Sequence, residues 1–267
     1  MQPHPTCLLA VVVGMCLWAS SEKVHAENWP RWRGPNGAAI SSEKHVPLRW
    51  TTSDNVAWKA EIPGEGSSSP IVFGQHVFVT SALEDGLRRQ LHCLDRDTGR
   101  RIWMREIVDD NPEITSALTG HAASTPVTDG KHVVAFFGNA GLVAYDFQGR
   151  QLWHHDFGEF ESELGIASSP ILVGDRVIQV CDHDGKFYRT FDSFMICLDV
   201  ATGRQVWRAN RRGLERARST PIVVPAGDER PELIVNAEGA LRVYSPRPEA
   251  RRARKECRTP WAPEPYH

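Results

Sequence analysis

Short runs of alternating apolar and polar residues, separated by turn residues, make up most of this chain. The pattern is most compact between positions 123 and 155. Residues 123–128 read as a first strand, and Asp129-Gly130 follows as a tight hairpin signal, because Asp and Gly tolerate positive φ. Residues 132–137 are rich in β-branched and aromatic side chains, which suit a pleated surface. Gly138 to Gly141 turns the chain, and residues 142–146 form a third strand. Phe147-Gln148-Gly149-Arg150 turns it again, and residues 151–155 are the fourth strand. Four antiparallel strands in such a short span make one blade of a propeller.

The same plan recurs. A Ser or Thr, a Pro and an apolar residue open each unit, at Ser69-Pro70, Thr125-Pro126, Ser169-Pro170 and Thr220-Pro221. The prolines are 56, 44 and 51 residues apart. Trp58, Trp103, Trp153 and Trp207 are spaced by 45, 50 and 54. A period near 50 built of short strands predicts stacked propeller blades rather than helical repeats. The stretch "CLDRDTGRRIW" from Cys93 returns as "CLDVATGRQVW" from Cys197, with a looser copy, "AYDFQGRQLW", from Ala144. Each is the hairpin between third and fourth strands. Asp95, Asp146 and Asp199 can accept hydrogen bonds from backbone N–H groups two or three residues on. Thr98 and Thr202 add a hydroxyl to the same loop. Gly99, Gly149 and Gly203 supply a left-handed residue that rejoins the ladder as a bulge. Trp103, Trp153 and Trp207 then occupy one position on the outer strand, where a large ring covers the seam between blades.

Composition narrows the function classes. Lys and Arg nearly balance Asp and Glu, for a formal charge of −2, which gives no sign of a nucleic-acid partner. The first 26 residues read as a secretory leader: an apolar run from Cys7 to Ala19, then Val24-His25-Ala26, a small-residue cleavage site. The run is too short for a mature transmembrane helix. Met15 before Cys16 is a poor lipoprotein signal. Cleavage after Ala26 leaves Cys93, Cys181, Cys197 and Cys257, too few for a disulfide framework. Cys181 and Cys197 fall on neighbouring expected strands, either as a disulfide or as buried thiols. The leader places the mature chain in the periplasm or outside the cell.

The turn-and-tryptophan repeat with its Ser/Thr-Pro opening resembles the PQQ-type β-propeller repeat. That repeat builds quinoprotein alcohol dehydrogenases and also non-enzymatic propellers such as the outer-membrane β-barrel assembly lipoprotein. "NWPRWRGPNGAAIS" and "NVAWKAEIPGEGSSSPIV" look like secreted PQQ-like proteins of planctomycete-type bacteria. The resemblance implies an all-β, PQQ-type propeller of four-stranded antiparallel blades. It also implies that residues 56–62, with Trp58, act as the outer strand of the last blade and close the ring. The dehydrogenases use PQQ with calcium, a vicinal pair of cysteines and a catalytic Asp. This chain has no Cys-Cys pair, and no residue matches that Asp by motif. The expected function is therefore a scaffold that binds a protein partner through its rim loops, with no catalytic residue, cofactor or metal of its own. The alternative is a PQQ-dependent oxidoreductase or its remnant.

Other candidates are weaker. Asp182-His183-Asp184-Gly185 lacks calcium-loop spacing and reads as a solvated hairpin tip. His121 precedes an inner strand, where loops reach the central channel. His154-His155 adjoin the outer Trp153. The arginines between Arg208 and Arg218 read as a solvated basic loop, with contact to an anionic partner as the alternative. The expected organisation is a leader (1–26), an extension with the closing strand (27–66), a partial propeller of three blades and part of a fourth (67–245) and a tail (246–267). The fourth unit should carry Gly near 249 and Trp near 253, but has Glu249 and Ala253. The Arg/Pro-rich tail is expected to join no ladder and to be disordered, as in a truncated or frameshifted product.

Overall fold

The computed structural model describes residues 26–44, 46–117, 119–160, 162, 164–183, 193–211, 218–225, 231–237, 240–246 and 255–258. The expected leader with Cys16 lies outside the described residues, apart from Ala26 itself. Four antiparallel sheets follow one another, each a simple meander of four strands. The first holds β1 (Ile71–Phe73), β2 (His76–Leu83), β3 (Arg88–Asp95) and β4 (Arg101–Val108). The second holds β5 (Val127–Thr128), β6 (His132–Phe136), β7 (Leu142–Asp146) and β8 (Gln151–His155). The third holds β9 (Ile171–Val173), β10 (Arg176–Cys181), β11 (Phe194–Asp199) and β12 (Gln205–Asn210). The fourth holds β13 (Ile222–Val224), β14 (Glu232–Ala237), β15 (Ala240–Tyr244) and β16 (Lys255–Arg258).

Period-two alternation gives each sheet two apolar faces, and the core is a series of seams between sheets. One buried cluster joins Phe78, Leu91 and Trp103 of the first sheet to Val133, Ala135 and Tyr145 of the second. Val134 and Phe136 point the other way and join Val177, Ile196 and Leu198 of the third. A third cluster joins Ile178, Met195 and Trp207 to Leu233, Val235 and Tyr244. The two cysteines expected as neighbours are divided by this alternation. Cys181 pairs with Phe194, and Cys197 with Ile178, three residues earlier. An odd offset puts them on opposite faces, Cys181 in one seam and Cys197 in the next. Both are free and buried, so no disulfide joins them. Burial pushes the Cys197 thiol up to about 12.

Two elements depart from the sequence reading. The expected first strand at 123–128 shrinks to Val127–Thr128, because Ser124 and Thr125 bond to the neighbouring sheet instead. The tail does join a ladder: β16 pairs with β15, Leu241 opposite Cys257 and Val243 opposite Lys255. Backbone pairing is indifferent to side-chain identity at a sheet edge, so a Lys-Glu-Cys-Arg run completes the fourth sheet. Residues 56–62 form no ladder with any described residue, yet they alternate between half-buried and exposed like a strand.

Candidate functional site

The repeated hairpin has one geometry in three copies. The Thr98 N–H and hydroxyl donate to Asp95 at 2.8 and 2.6 Å, and Thr202 does the same to Asp199 at 3.0 and 2.7 Å. Gln148 N–H donates to Asp146 at 3.1 Å. The threonine bonds hold the Asp95 and Asp199 carboxyls below the usual carboxylate range. Gly99, Gly149 and Gly203 have φ of 70°, 77° and 70°, and the ladder slips one residue beside each turn. These glycines have a second purpose. A Cβ on Gly149 would lie 2.8 Å from the Trp103 ring, one on Gly203 2.6 Å from Trp153, and one on Gly99 2.4 Å from Trp58. Each tryptophan lies flat on the turn of the next sheet. Its indole N–H donates there to a backbone carbonyl: Trp58 to Arg96, Trp103 to Phe147, Trp153 to Val200 and Trp207 to Pro246. These positions build seams.

The inner edge carries a feature that the sequence reading used only for alignment. The residue before each inner proline bonds to its counterpart in the next sheet. Ser69 N–H donates to Thr125 Oγ1 at 3.0 Å, Thr125 N–H to Ser169 Oγ at 2.9 Å, and Ser169 N–H to Thr220 Oγ1 at 3.0 Å. Ser124 and Ser168 hydroxyls donate across the same gaps to the Ser168 and Ser219 carbonyls. The recurring Ser/Thr-Pro pair was the signal. Proline has no N–H, so its predecessor holds the last backbone donor before the inner strand, and its hydroxyl stitches sheet to sheet.

Above this belt lies a cavity of about 440 Å³. Its walls are the belt hydroxyls and an N-terminal strap. Trp29 exchanges backbone hydrogen bonds with Val72, and Pro30 accepts one from Thr128, so the strap crosses the inner strands of two sheets. It then folds into a knot: Gly34 N–H donates to Arg31 O, and Ala39 N–H to Arg33 O. Arg33 sits at φ 63°, unusual for a residue with a side chain. Gly34, packed on the Trp29 ring, leaves no room for a Cβ. The knot delivers Arg31, Trp32 and Arg33 to the cavity, which Arg218 also lines. No carboxylate is among the lining residues.

The other sequence candidates are structural. His121 turns away from this cavity: its Nε2 meets the Glu113 carbonyl at 2.9 Å and its ring covers Gly86. His154 and His155 contact the carbonyls of Ala140 and Gly203. Asp182 and His183 are not a solvated tip. Asp182 is buried and grips the fully buried Arg211 at 2.8 and 3.0 Å, and His183 stacks on Phe160. Arg211 also reaches the Tyr244 hydroxyl at 3.0 Å, so part of the basic loop is core, held there because a buried charge needs a paired and hydrogen-bonded partner. Asp184, Gly185 and residues 212–217 lie outside the described residues. A second buried network, Arg89 with Glu113 at 3.0 Å and Asp109 at 3.4 Å, gave no sequence signal. Among the described residues no group of His, Cys, Asp and Glu could hold a metal ion.

Ser81 Oγ and His92 Nε2 are 2.9 Å apart, the spacing of a nucleophile and its base. Both are buried, and the cavity does not reach them. Burial, with the Arg101 charge, pushes the His92 pKa down to about 4. An unfolded histidine protonates near 6.5, so the unfolded state binds the extra proton first as pH falls. Stability is expected to hold above pH about 6.5 and to fall by up to about 3 kcal/mol toward pH 4. Urea titrations across that window check this, and His92→Gln should flatten the slope.

Comparison with known proteins places this geometry. The family described as outer membrane protein assembly factor BamB matches over residues 32–105, 48–209 and 88–249. The chain belongs to this family. The BamB-type match covers the first three sheets and β13 to β15 of the fourth, stops short of β16, and includes the strap from Trp32 onward. The chain is also similar to a 1-butanol dehydrogenase (quinone) of Thauera butanivorans, 23% identical over 231 residues, covering 78% of this chain and 35% of that one. Among solved structures it resembles quinohemoprotein alcohol dehydrogenase from Comamonas testosteroni, with TM-score 0.61, 14% identity, and coverage of 87% of this chain and 41% of that one. A second, the enzyme ADHIIG from Pseudomonas putida HK5, gives TM-score 0.57 at 15% identity, covering 87% and 40%. These structural likenesses show an incomplete propeller of the PQQ-like type, and the chain spans well under half the length of these relatives. No helix among the described residues is long and apolar enough to cross a membrane.

Proposed function

We propose that this chain is an exported binding propeller that holds a partner protein at its loop face and performs no chemistry of its own. The lining of the central cavity carries the reading. Arginines and hydroxyls surround it, and no lining residue is an Asp or Glu. Calcium takes six to eight oxygen ligands, carboxylates prominent among them. The donor set therefore suits an anion and supplies no carboxylate to hold calcium. The adjacent cysteines that the dehydrogenase resemblance implies are also missing from the sequence. The second reading, a quinone-dependent alcohol dehydrogenase, draws on the similarity to the 1-butanol enzyme. One assay separates them. The purified chain, mixed with PQQ, calcium and a primary alcohol, is expected to leave an electron-accepting dye oxidised. Alcohol-dependent dye reduction would overturn the scaffold reading.

A further inference from the structure

The cavity above the hydroxyl belt is more specific than a gap between blades. Arg31 is half-buried; its Nε is fixed on the Gly34 carbonyl at 3.2 Å, and its Nη2 lies over Gly37, which also lines the cavity. No described carboxylate forms an ion pair with Arg31 or Arg33, whereas Arg88, Arg89, Arg176 and Arg211 each have one. Burial draws the Arg31 pKa down. Trp32, 40% exposed, stands between the two arginines in sequence and in the same wall. The backbone that presents them is held in an uncommon conformation at Arg33, and such strain persists where surrounding structure over-determines it.

We propose that the strap and the belt form a carboxylate-binding site, in which Arg31 and Arg33 take the charge, Trp32 covers the ligand's apolar part, and the Thr125 and Ser169 hydroxyls donate from below. Both belt hydroxyls accept a backbone N–H, which leaves their own hydrogens free to turn toward a ligand. Guanidinium groups match carboxylates in a planar, two-bonded geometry, and a walled cavity concentrates their field on an entering anion. The volume admits a di- or tricarboxylic acid or one or two acidic side chains of a partner's peptide. The site deepens the binding-propeller reading and rests on it for the identity of a peptide ligand.

Calorimetric titration of the full chain tests the site with two probes, citrate and a capped pentapeptide of glutamates, at low salt. Binding is expected for at least one probe, weakened about tenfold by Arg31→Gln and by Arg33→Gln, and weakened further as salt rises. Arg33 is exposed, so its variant keeps the native melting temperature and guards against a folding artefact. Preference for the peptide assigns the site to a partner protein's acidic segment, and preference for citrate assigns it to a free acid. No heat with either probe, or affinities unchanged in both variants, would overturn the proposal. Dye reduction in the quinone assay would instead overturn the scaffold reading, and leave the arginine dependence to decide the site.

Discussion

Trp153→Ala is expected to lower the free energy of unfolding by about 3–5 kcal/mol, as for large aromatics removed from cores. The ring is 9% exposed and belongs to the cluster that joins the second and third sheets. It lies on Gly203, and its indole N–H satisfies the Val200 carbonyl at 2.8 Å. Truncation therefore opens a cavity in a seam and orphans a carbonyl in the next turn. The seam has little freedom to collapse, because Gly203 is locked at φ 70° by the Asp199–Thr202 turn. Trp153→Phe keeps part of the ring and loses the hydrogen bond, so it should fall between Ala and wild type. Denaturant midpoints with unchanged m-values measure both. A loss below about 1 kcal/mol for the Ala variant would show that the seam does not depend on the ring.

Arg89→Met should cost a similar amount, about 3–5 kcal/mol, for a different reason. Arg89 is fully buried, between Glu113 and Asp109, and its guanidinium also reaches the carbonyls of Gly86 and His121. Methionine fills much of the volume but leaves two carboxylates buried without their cation. Burial already pushes the Asp109 pKa up with Arg89 in place. The network ties the loop between first and second sheets, residues 109–122, to strand β3, so its loss should loosen that loop first. The triple variant Arg89→Met, Glu113→Gln, Asp109→Asn removes the stranded charges and is expected to recover most of the loss. Non-additivity in that cycle is the decisive measurement. Equal costs for the single and triple variants would show that packing, not charge, sets the penalty.

The fold was legible because its signal repeats. Ser/Thr-Pro openings, Asp-to-Gly turns and tryptophans near a period of 50 each mark the same place in successive sheets, and a repeated packing problem leaves a repeated answer in the sequence. The fourth sheet was harder to see. Lys255 stands opposite Val243, in the register that Trp103 holds opposite Cys93 and Trp207 opposite Cys197. A strand held by main-chain bonds at an edge leaves little pattern, so composition alone suggested disorder. Burial of Asp182 and Arg211 was hidden for a related reason. Charged residues in a loop read as solvated until a partner 29 residues away is found beside them.

The candidate site divides the same way. Local sequence determined the strands, the turns and the hydroxyl before each inner proline, because these follow from backbone preferences and near neighbours. Only the tertiary structure decided that Trp153 rests on Gly203, that the residues before four inner prolines join in one belt, and that Arg31, Arg33 and Arg218 line one cavity with it. Those contacts join residues from about 44 to nearly 190 positions apart, and no periodicity records them. They are set by how the sheets pack around a shared inner edge. The charge balance of the whole chain, near zero, concealed a cavity whose charged wall residues are all arginines. Net charge is a sum over the chain, and a binding site depends on where the fold gathers its terms.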